Sequence, residues 1–198
     1  MLQSLIKIVL AVIIVFLAYY LYESIMEPVR FNREVEKRNE AVVQALKDIR
    51  AAELVYKSTH GTYTGSFDTL IQFVKEGKIP VVKMVPDPTD TTFTRTIRDT
   101  IGYVRVIDSL YKRPGFDPDK LKYIPYSNNE VFSLEAGKLE KGGVQVNVFE
   151  AKAHYKQYLG DLNEQMVRNL IARREEIERY PGLKVGSMTE VSIDGNWE

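Results

Sequence analysis

The sequence contains no cysteine among its 198 residues, which excludes disulfides, thiolate zinc sites and cysteine nucleophiles. Histidine is scarce as well, since only His60 and His154 are available as imidazole bases. The chain also lacks a phosphate-binding Gly-Lys-Ser/Thr loop, a Gly-x-Ser-x-Gly nucleophile elbow and a His-Glu-x-x-His zinc motif. Because no set of residues identifies a reaction, we expect a protein that is not an enzyme and that carries no cofactor.

An excess of charge of one sign is absent too. Lysine plus arginine and aspartate plus glutamate both number 27, so the formal net charge is zero. Nucleic acid is attracted by a positive field, and we therefore do not expect it as a partner. Charged residues make up 27% of the chain and hydrophobic residues 44%, which is typical of a folded domain and not of a disordered tail.

One feature is present in abundance: an apolar run over residues 5–22, in which Lys7 is the only charged residue. At about 1.5 Å per helical residue, roughly 18 residues span about 27 Å, close to the hydrocarbon thickness of a bilayer. The run is long for a cleaved signal peptide, and residues 19–23 are not the small residues of a cleavage site. We therefore predict a transmembrane anchor over residues 1–27, with lipid as a partner, and a soluble domain over residues 28–198.

The charges beside the run do not fix its orientation. Basic residues are more numerous after the run than before it, which by the positive-inside rule opposes an external carboxyl-terminal domain. Against this, glutamates alternate with those basic residues and the leading segment is very short. Charge counting alone therefore leaves both sides of the membrane open for the domain.

Helical periodicity resumes beyond Pro28, a residue that can bend or restart the helix. Apolar residues at intervals of seven predict one long amphipathic helix over residues 32–59: Val35, Val42, Ile49 and Tyr56. We interpret this helix as packed on its own domain, because Asn39 and Glu53 occupy the second seam position of the alternative, a coiled coil with a partner. Gly61 is expected to end the helix in the left-handed conformation.

Residues 49–73 read IRAAELVYKSTHGTYTGSFDTLIQF. A hydrophobic amino-terminal helix that continues into an amphipathic one, followed by Tyr56, Gly61, Tyr63 and Leu70, resembles the head-domain entry of type IV pilins and of the pseudopilins of type II secretion. The resemblance implies an α+β fold, in which the long helix packs on an antiparallel sheet. It also implies a structural subunit of a bacterial envelope assembly, anchored in the inner membrane with its soluble domain in the periplasm and with other membrane protein subunits as partners.

The chain differs from that family in two respects. The apolar run contains no glutamate, which in the family pairs with the amino terminus of a neighbouring subunit, and no basic leader ending in a small residue precedes the run. These differences favour an alternative function: a non-filamentous accessory subunit of an inner-membrane translocase or secretion complex. In either case the span is expected to pack on other apolar helices, and its small residues Ala11 and Ala18 are the candidates for close approach.

A short helix is expected to begin after Ser66 as its N-cap and to end at Gly77. Its buried side is predicted from four apolar residues: Leu70, Ile71, Phe73 and Val74. Beyond this helix, β-branched residues alternate with polar ones, which predicts strands. Residues 91–95 and 102–107 are the predicted extended segments, although the pattern over residues 97–110 also fits a helix, and both alternatives remain open.

A Pro-Asp-Pro-Thr-Asp loop supplies the one candidate metal site. Asp87 and Asp90 are closely spaced carboxylates of the kind that suits a hard cation such as calcium. The same residues are also ordinary turn formers, and the ligand alternation of an EF-hand loop is absent. Calcium binding and a plain turn are therefore both compatible with this segment.

The clearest sheet signal is a pair of alternating segments around Gly142 and Gly143, which predicts an antiparallel hairpin with one buried face. That face is predicted from Phe132, Leu134, Val144, Val146 and Val148. A further strand is predicted over residues 121–127, and a brief helical turn is expected to open at Asp117.

The last long helix is expected to have Asp161 as its N-cap. Its apolar stripe is predicted from Leu162, Met166, Leu170, Ile177 and Tyr180. The tail that follows is rich in glycine yet ends close to Trp197 and carries several other apolar residues. We expect this tail to dock on its own domain, with docking on a partner as the alternative.

Overall fold

The computed structural model describes residues 2–86, 96–112 and 115–198. The helices are α1 (Leu2–His60), α2 (Phe67–Glu76), α3 (Val106–Leu110), α4 (Tyr155–Leu159) and α5 (Glu164–Glu175), with a 3₁₀ helix over Pro118–Lys122. The strands are β1 (Lys78–Pro86), β2 (Thr96–Arg105), β3 (Ser133–Lys141), β4 (Val144–His154) and β5 (Gly182–Gly186). They form a two-stranded sheet, β1-β2, and a three-stranded sheet of order β3-β4-β5, and every pairing is antiparallel. The predicted α+β class is confirmed.

The long helix α1 continues without a break through Pro28, so the helix does not restart at that residue. Proline removes one hydrogen-bond donor, but the neighbouring backbone bonds keep the segment helical. The helix ends at His60, and Gly61 follows with φ of +79°. The Gly61 N–H donates to the Lys57 carbonyl at 2.8 Å, which confirms the expected glycine cap.

The second half of α1 contributes one apolar stripe to the hydrophobic core. Its fully buried members recur at helical spacing: Val42, Leu46, Ile49 and Ala52. They belong to one cluster with buried side chains of α2, β4, β5 and α4, among them Val74, Phe149, Val185 and Tyr158. The sheet of β3, β4 and β5 and the second half of α1 therefore share a single core.

The two polar residues of the predicted coiled-coil seam have partners within the chain. The Tyr158 hydroxyl donates to Asn39 Oδ1 at 2.8 Å, and the Thr64 N–H donates to Glu53 Oε2 at 3.0 Å. Glu53 is fully buried. Both residues are thus used by intramolecular packing, which removes the need for a partner helix on this face of α1.

The β3–β4 hairpin is confirmed, with Gly142 and Gly143 at φ of +63° and +78° in its two-residue turn. The predicted buried face is correct for Phe132 and Leu134, which are buried. It is wrong for β4, because Leu134 pairs with Ala151 and the face of β4 that it shares carries the buried Phe149, Ala151 and Ala153. Val144, Val146 and Val148 lie on the opposite face, where Val148 is buried and Val144 is 61% exposed.

The alternatives for residues 97–110 are settled by a change of structure within the segment. Strand β2 continues to Arg105, and α3 begins at Val106, whose N–H donates to the Gly77 carbonyl at 2.9 Å. The predicted extended segment over residues 102–107 is therefore correct for its first part alone. The predicted segment over residues 91–95 lies outside the described residues.

Two shorter predictions around the 3₁₀ helix have opposite outcomes. The helical turn expected at Asp117 is confirmed, since its carboxylate accepts from the Asp119 N–H at 3.0 Å. The strand predicted over residues 121–127 is wrong, because the 3₁₀ helix continues to Lys122 and a single bridge to Val131 follows at Tyr123.

The face of α2 is confirmed for Leu70, Ile71 and Val74, which are buried, while Phe73 is partly buried against the core. Ser66 stands at the N-cap position, but its side chain makes no capping hydrogen bond.

The carboxyl-terminal tail docks on its own domain, as the first alternative predicted. Its β5 strand pairs with β4, and Val185 bridges to Gly195 further along the tail. The Asn196 side chain donates to the Gly182 carbonyl at 2.9 Å, and Trp197 packs against the core.

The buried Glu53 carboxyl predicts a pH-dependent stability. Burial raises its pKa to about 7 from 4.5, although the Thr64 N–H acts in the opposite direction. A carboxyl whose pKa is higher in the folded than in the unfolded protein makes its full contribution to stability below about pH 4.5, its unfolded value. This contribution is lost as the pH rises to about 7, its folded value. We expect the difference in unfolding free energy between the protein and Glu53→Gln to change by roughly 3 kcal/mol over that interval.

The measurement is guanidinium unfolding of the full chain in detergent, repeated at several pH values. Glu36→Gln is the matched control, because it makes the same substitution at an exposed position of the same helix. The same pH dependence for Glu53→Gln and the unsubstituted protein would contradict the prediction.

Candidate membrane-anchoring site

The first part of α1 is apolar on all sides and uncovered. Among the described residues, α1 is the one helix that is long and apolar enough to cross a membrane, and none of its most apolar 18-residue window is buried. Large side chains such as Val15 and Phe16 are 69% and 66% exposed. Apolar surface of this extent is unfavourable in water. It is therefore the surface of the chain that most requires lipid or another apolar helix around it.

A shallow groove runs along one side of this uncovered helix. Its lining consists of Ile8, Ala11, Val12, Val15, Phe16 and Tyr19. Ala11, one of the two predicted packing residues, is part of this lining, whereas Ala18 is outside it. Both alanines are exposed and lie seven residues apart on one face of the helix.

The junction between the apolar run and the rest of the protein is short. Arg30 forms an exposed ion pair with Glu23 along the helix. The Asn163 side-chain amide, just before α5, donates to Glu27 Oε1 at 2.7 Å. Residues 23–26 alone separate the run from this contact, and four residues of helix measure about 6 Å. The protein therefore has almost no free helix between its apolar run and its folded domain.

Arg38 fixes α1 to the loop between α4 and α5. It is 7% exposed, and its guanidinium donates to the Tyr158 carbonyl at 2.7 Å and to Asp161 Oδ2 at 2.8 Å. The same group also contacts Asp161 Oδ1 and donates to Glu34 Oε1 at 3.1 Å. Hydrogen bonding to Arg38 holds the pKa of the Asp161 carboxyl below its usual range. A buried cation needs such partners, and here they come from α1 and the α4–α5 loop together.

Asp161 is not the N-cap of the last long helix, which corrects the prediction. Asn163 takes that position, where its side chain accepts from the Met166 N–H at 3.1 Å, while Asp161 is engaged by Arg38. The predicted apolar stripe is also wrong, because Leu162, Met166 and Leu170 are only partly buried and Ile177, beyond the end of α5 at Glu175, is 58% exposed. The buried residues of α5 are Val167 and Ile171.

The sequence contained a signal for Arg38 that the prediction missed. Arg38 lies three residues after Val35 and four before Val42, on the apolar stripe of α1. A charged residue in that position needs a buried counter-ion. The contact between Asn163 and Glu27 had no comparable signal, because both are ordinary polar residues 136 positions apart.

The candidate calcium ligands Asp87 and Asp90 lie outside the described residues. Within the described ranges, no group of three or more histidine, aspartate or glutamate residues could hold a metal ion. Both histidines have structural contacts: His60 stacks on Tyr56 with ring centroids 4.2 Å apart, and His154 accepts from the Lys156 N–H at 3.1 Å as the N-cap of α4.

Protein-family models, curated proteins and solved structures give no match to this chain. The uncovered run and its junction with the folded domain are therefore the observations from which a function can be argued.

The Arg38 contacts predict that Asp161 contributes strongly to stability although it is itself exposed. In Asp161→Ala the buried guanidinium loses the Asp161 carboxylate and keeps that of Glu34. We expect a loss of about 2 kcal/mol in unfolding free energy. Glu164→Ala is the matched control, since it removes an exposed ion pair with Arg168 from the same region and should change stability little. Guanidinium unfolding of the full chain in detergent measures both, and equal losses would contradict this role of Arg38.

Proposed function

We propose that this protein is a membrane-anchored, pilin-like structural subunit of a bacterial envelope assembly. The observation that supports this proposal is the division of α1 into two parts. Its first part is uncovered and apolar, and its second part is buried against an antiparallel sheet. The same layout underlies the resemblance of residues 49–73 to the head-domain entry of pilins and pseudopilins. In this proposal the run crosses the inner membrane once and the α+β domain lies in the periplasm.

The proposed mode of assembly is lateral packing of apolar helices within the bilayer. Lipid chains are as apolar as leucine, so association in the membrane depends on van der Waals contact and shape. The groove beside Ala11 offers such a shape, and Ala18 extends the small-residue face beyond it. No aspartate or glutamate occurs within residues 5–22, so no carboxylate of the run forms a charge pair with a neighbour.

This last observation favours a second candidate function: a non-filamentous accessory subunit of an inner-membrane translocase or secretion complex. A charge pair inside the membrane would fix the register of repeated identical subunits, whereas packing by shape alone also suits a single copy in a mixed complex. Cross-linking in membranes separates the two candidates. A ladder of multiples of this chain supports the pilin-like subunit, and products with other proteins alone support the accessory subunit.

The proposed topology predicts opposite labelling at the two ends of the run. Because the chain has no native cysteine, Asn128→Cys in an exposed loop and Gln3→Cys before the run each provide a single thiol. An impermeant maleimide should label position 128 in cells whose outer membrane is opened and whose inner membrane is intact. Position 3 should require the inner membrane to be opened as well. Labelling of position 128 only after the inner membrane is opened would contradict the periplasmic domain.

The proposed packing predicts that larger side chains on the alanine face weaken assembly. Ala11→Leu combined with Ala18→Leu should reduce cross-linked or co-purified complexes by about tenfold, since close approach of the helices is lost. Val9→Leu combined with Ile13→Leu is the control, because these residues lie on the opposite side of the helix. Equal effects of the two double variants would show that the alanine face has no special part in assembly.

A further inference from the structure

The folded domain makes contact with α1 almost directly after the apolar run. We propose that the end of the loop between α4 and α5 that meets Glu27, together with the first turn of α5 (residues 162–166), rests on the lipid headgroups. The domain is then held against the bilayer surface and is not raised above it on free helix. This inference rests on the membrane span of the proposed function and goes beyond it, because a span alone does not say where the domain lies.

The depth of the contact follows from the length of α1. The middle of the run lies between Ile13 and Ile14, and Glu27 is about 13 residues further along an unbroken helix. At about 1.5 Å per residue this is about 20 Å, and a bilayer with its headgroups reaches about 20 to 22 Å from its midplane. Glu27, with Asn163 one hydrogen bond away, therefore lies at the outer limit of the headgroup layer. A tilt of the helix moves both closer to the lipid.

Two attachments prevent the loop from swinging away from this position. The Asn163 amide binds Glu27 at 2.7 Å, and Asp161 binds the buried Arg38, eleven residues further along the same helix. Arg38 also binds the Tyr158 carbonyl at the end of α4. Since all three contacts end on one continuous helix, the loop keeps its height relative to the run unless the Arg38 cluster opens.

The charges around this surface indicate what kind of lipid it suits. Glu164 and Arg168 in the first turns of α5 form an ion pair at 2.8 Å, and Glu23 pairs with Arg30 beside the run. Paired charges of both signs provide no polybasic patch of the kind that attracts anionic lipids. The surface therefore fits zwitterionic headgroups and needs no anionic lipid.

The test uses the full chain in phosphatidylcholine nanodiscs with a nitrobenzoxadiazole fluorophore on one introduced cysteine. Gln165→Cys reports on the proposed surface, and Ser58→Cys lies on the exposed side of α1, about 46 Å beyond Glu27. Lipid spin-labelled at the headgroup should reduce fluorescence about twofold at position 165 and almost not at all at position 58. Leu17→Cys, quenched by lipid spin-labelled in the acyl chain, reports separately on the span.

The outcomes distinguish this inference from the proposed function. Quenching at positions 17 and 165 but not at position 58 supports it. Quenching at position 17 without quenching at position 165 overturns it and leaves the span intact, whereas no quenching at position 17 overturns both. Quenching at position 165 that appears only after phosphatidylglycerol is added would overturn the assignment to zwitterionic headgroups.

Discussion

A single unbroken helix joins the uncovered apolar run to the hydrophobic core, and its continuity constrains everything else in the fold. The backbone of α1 satisfies its own hydrogen bonds along its length, so the side chains alone decide what surrounds each part. Over residues 6–22 the apolar side chains point in all directions and remain exposed, whereas beyond Phe31 they form one buried stripe. Because the helix continues through Pro28, the run and the core have a fixed rotation and spacing relative to each other.

The polar groups on the buried stripe set how the domain sits on this helix. Burying the Arg38 guanidinium is unfavourable unless every donor finds an acceptor, and the acceptors at Asp161 and Tyr158 come from one short stretch of chain. A shift of one helical turn would remove both of these acceptors and leave the cation with Glu34 of its own helix. Glu53 constrains the packing at the other end of the stripe. The Thr64 N–H donates to one of its carboxyl oxygens, and no described residue donates to the other.

Local patterns account for the parts of the fold that could be predicted. The seven-residue spacing of α1, the glycine pair of the β3–β4 turn and the apolar face of α2 each depend on neighbours in sequence. The wrong predictions arise where a residue distant in sequence determines which local contact forms. Asp161 and Asn163 are equally good N-caps by type, and Arg38, 123 positions away, engages the aspartate and leaves the cap to the asparagine. Likewise, the candidate span could be predicted from composition, but its junction with the domain could not, because Glu27 meets Asn163 only in the folded chain.

The polar groups of the chain are divided unevenly between the folded domain and the apolar run. This division explains why the proposed assembly depends on the span. Inside the domain, the buried guanidinium of Arg38 and one carboxyl oxygen of Glu53 have partners from their own chain. The run has no carboxylate to offer, and its exposed side chains provide area and shape. Helix packing of that kind is weak for each contact, but a shared membrane confines the helices to a thin layer and raises their effective concentration. In the proposed arrangement, modest complementarity along the groove beside Ala11 is therefore enough to bring subunits together.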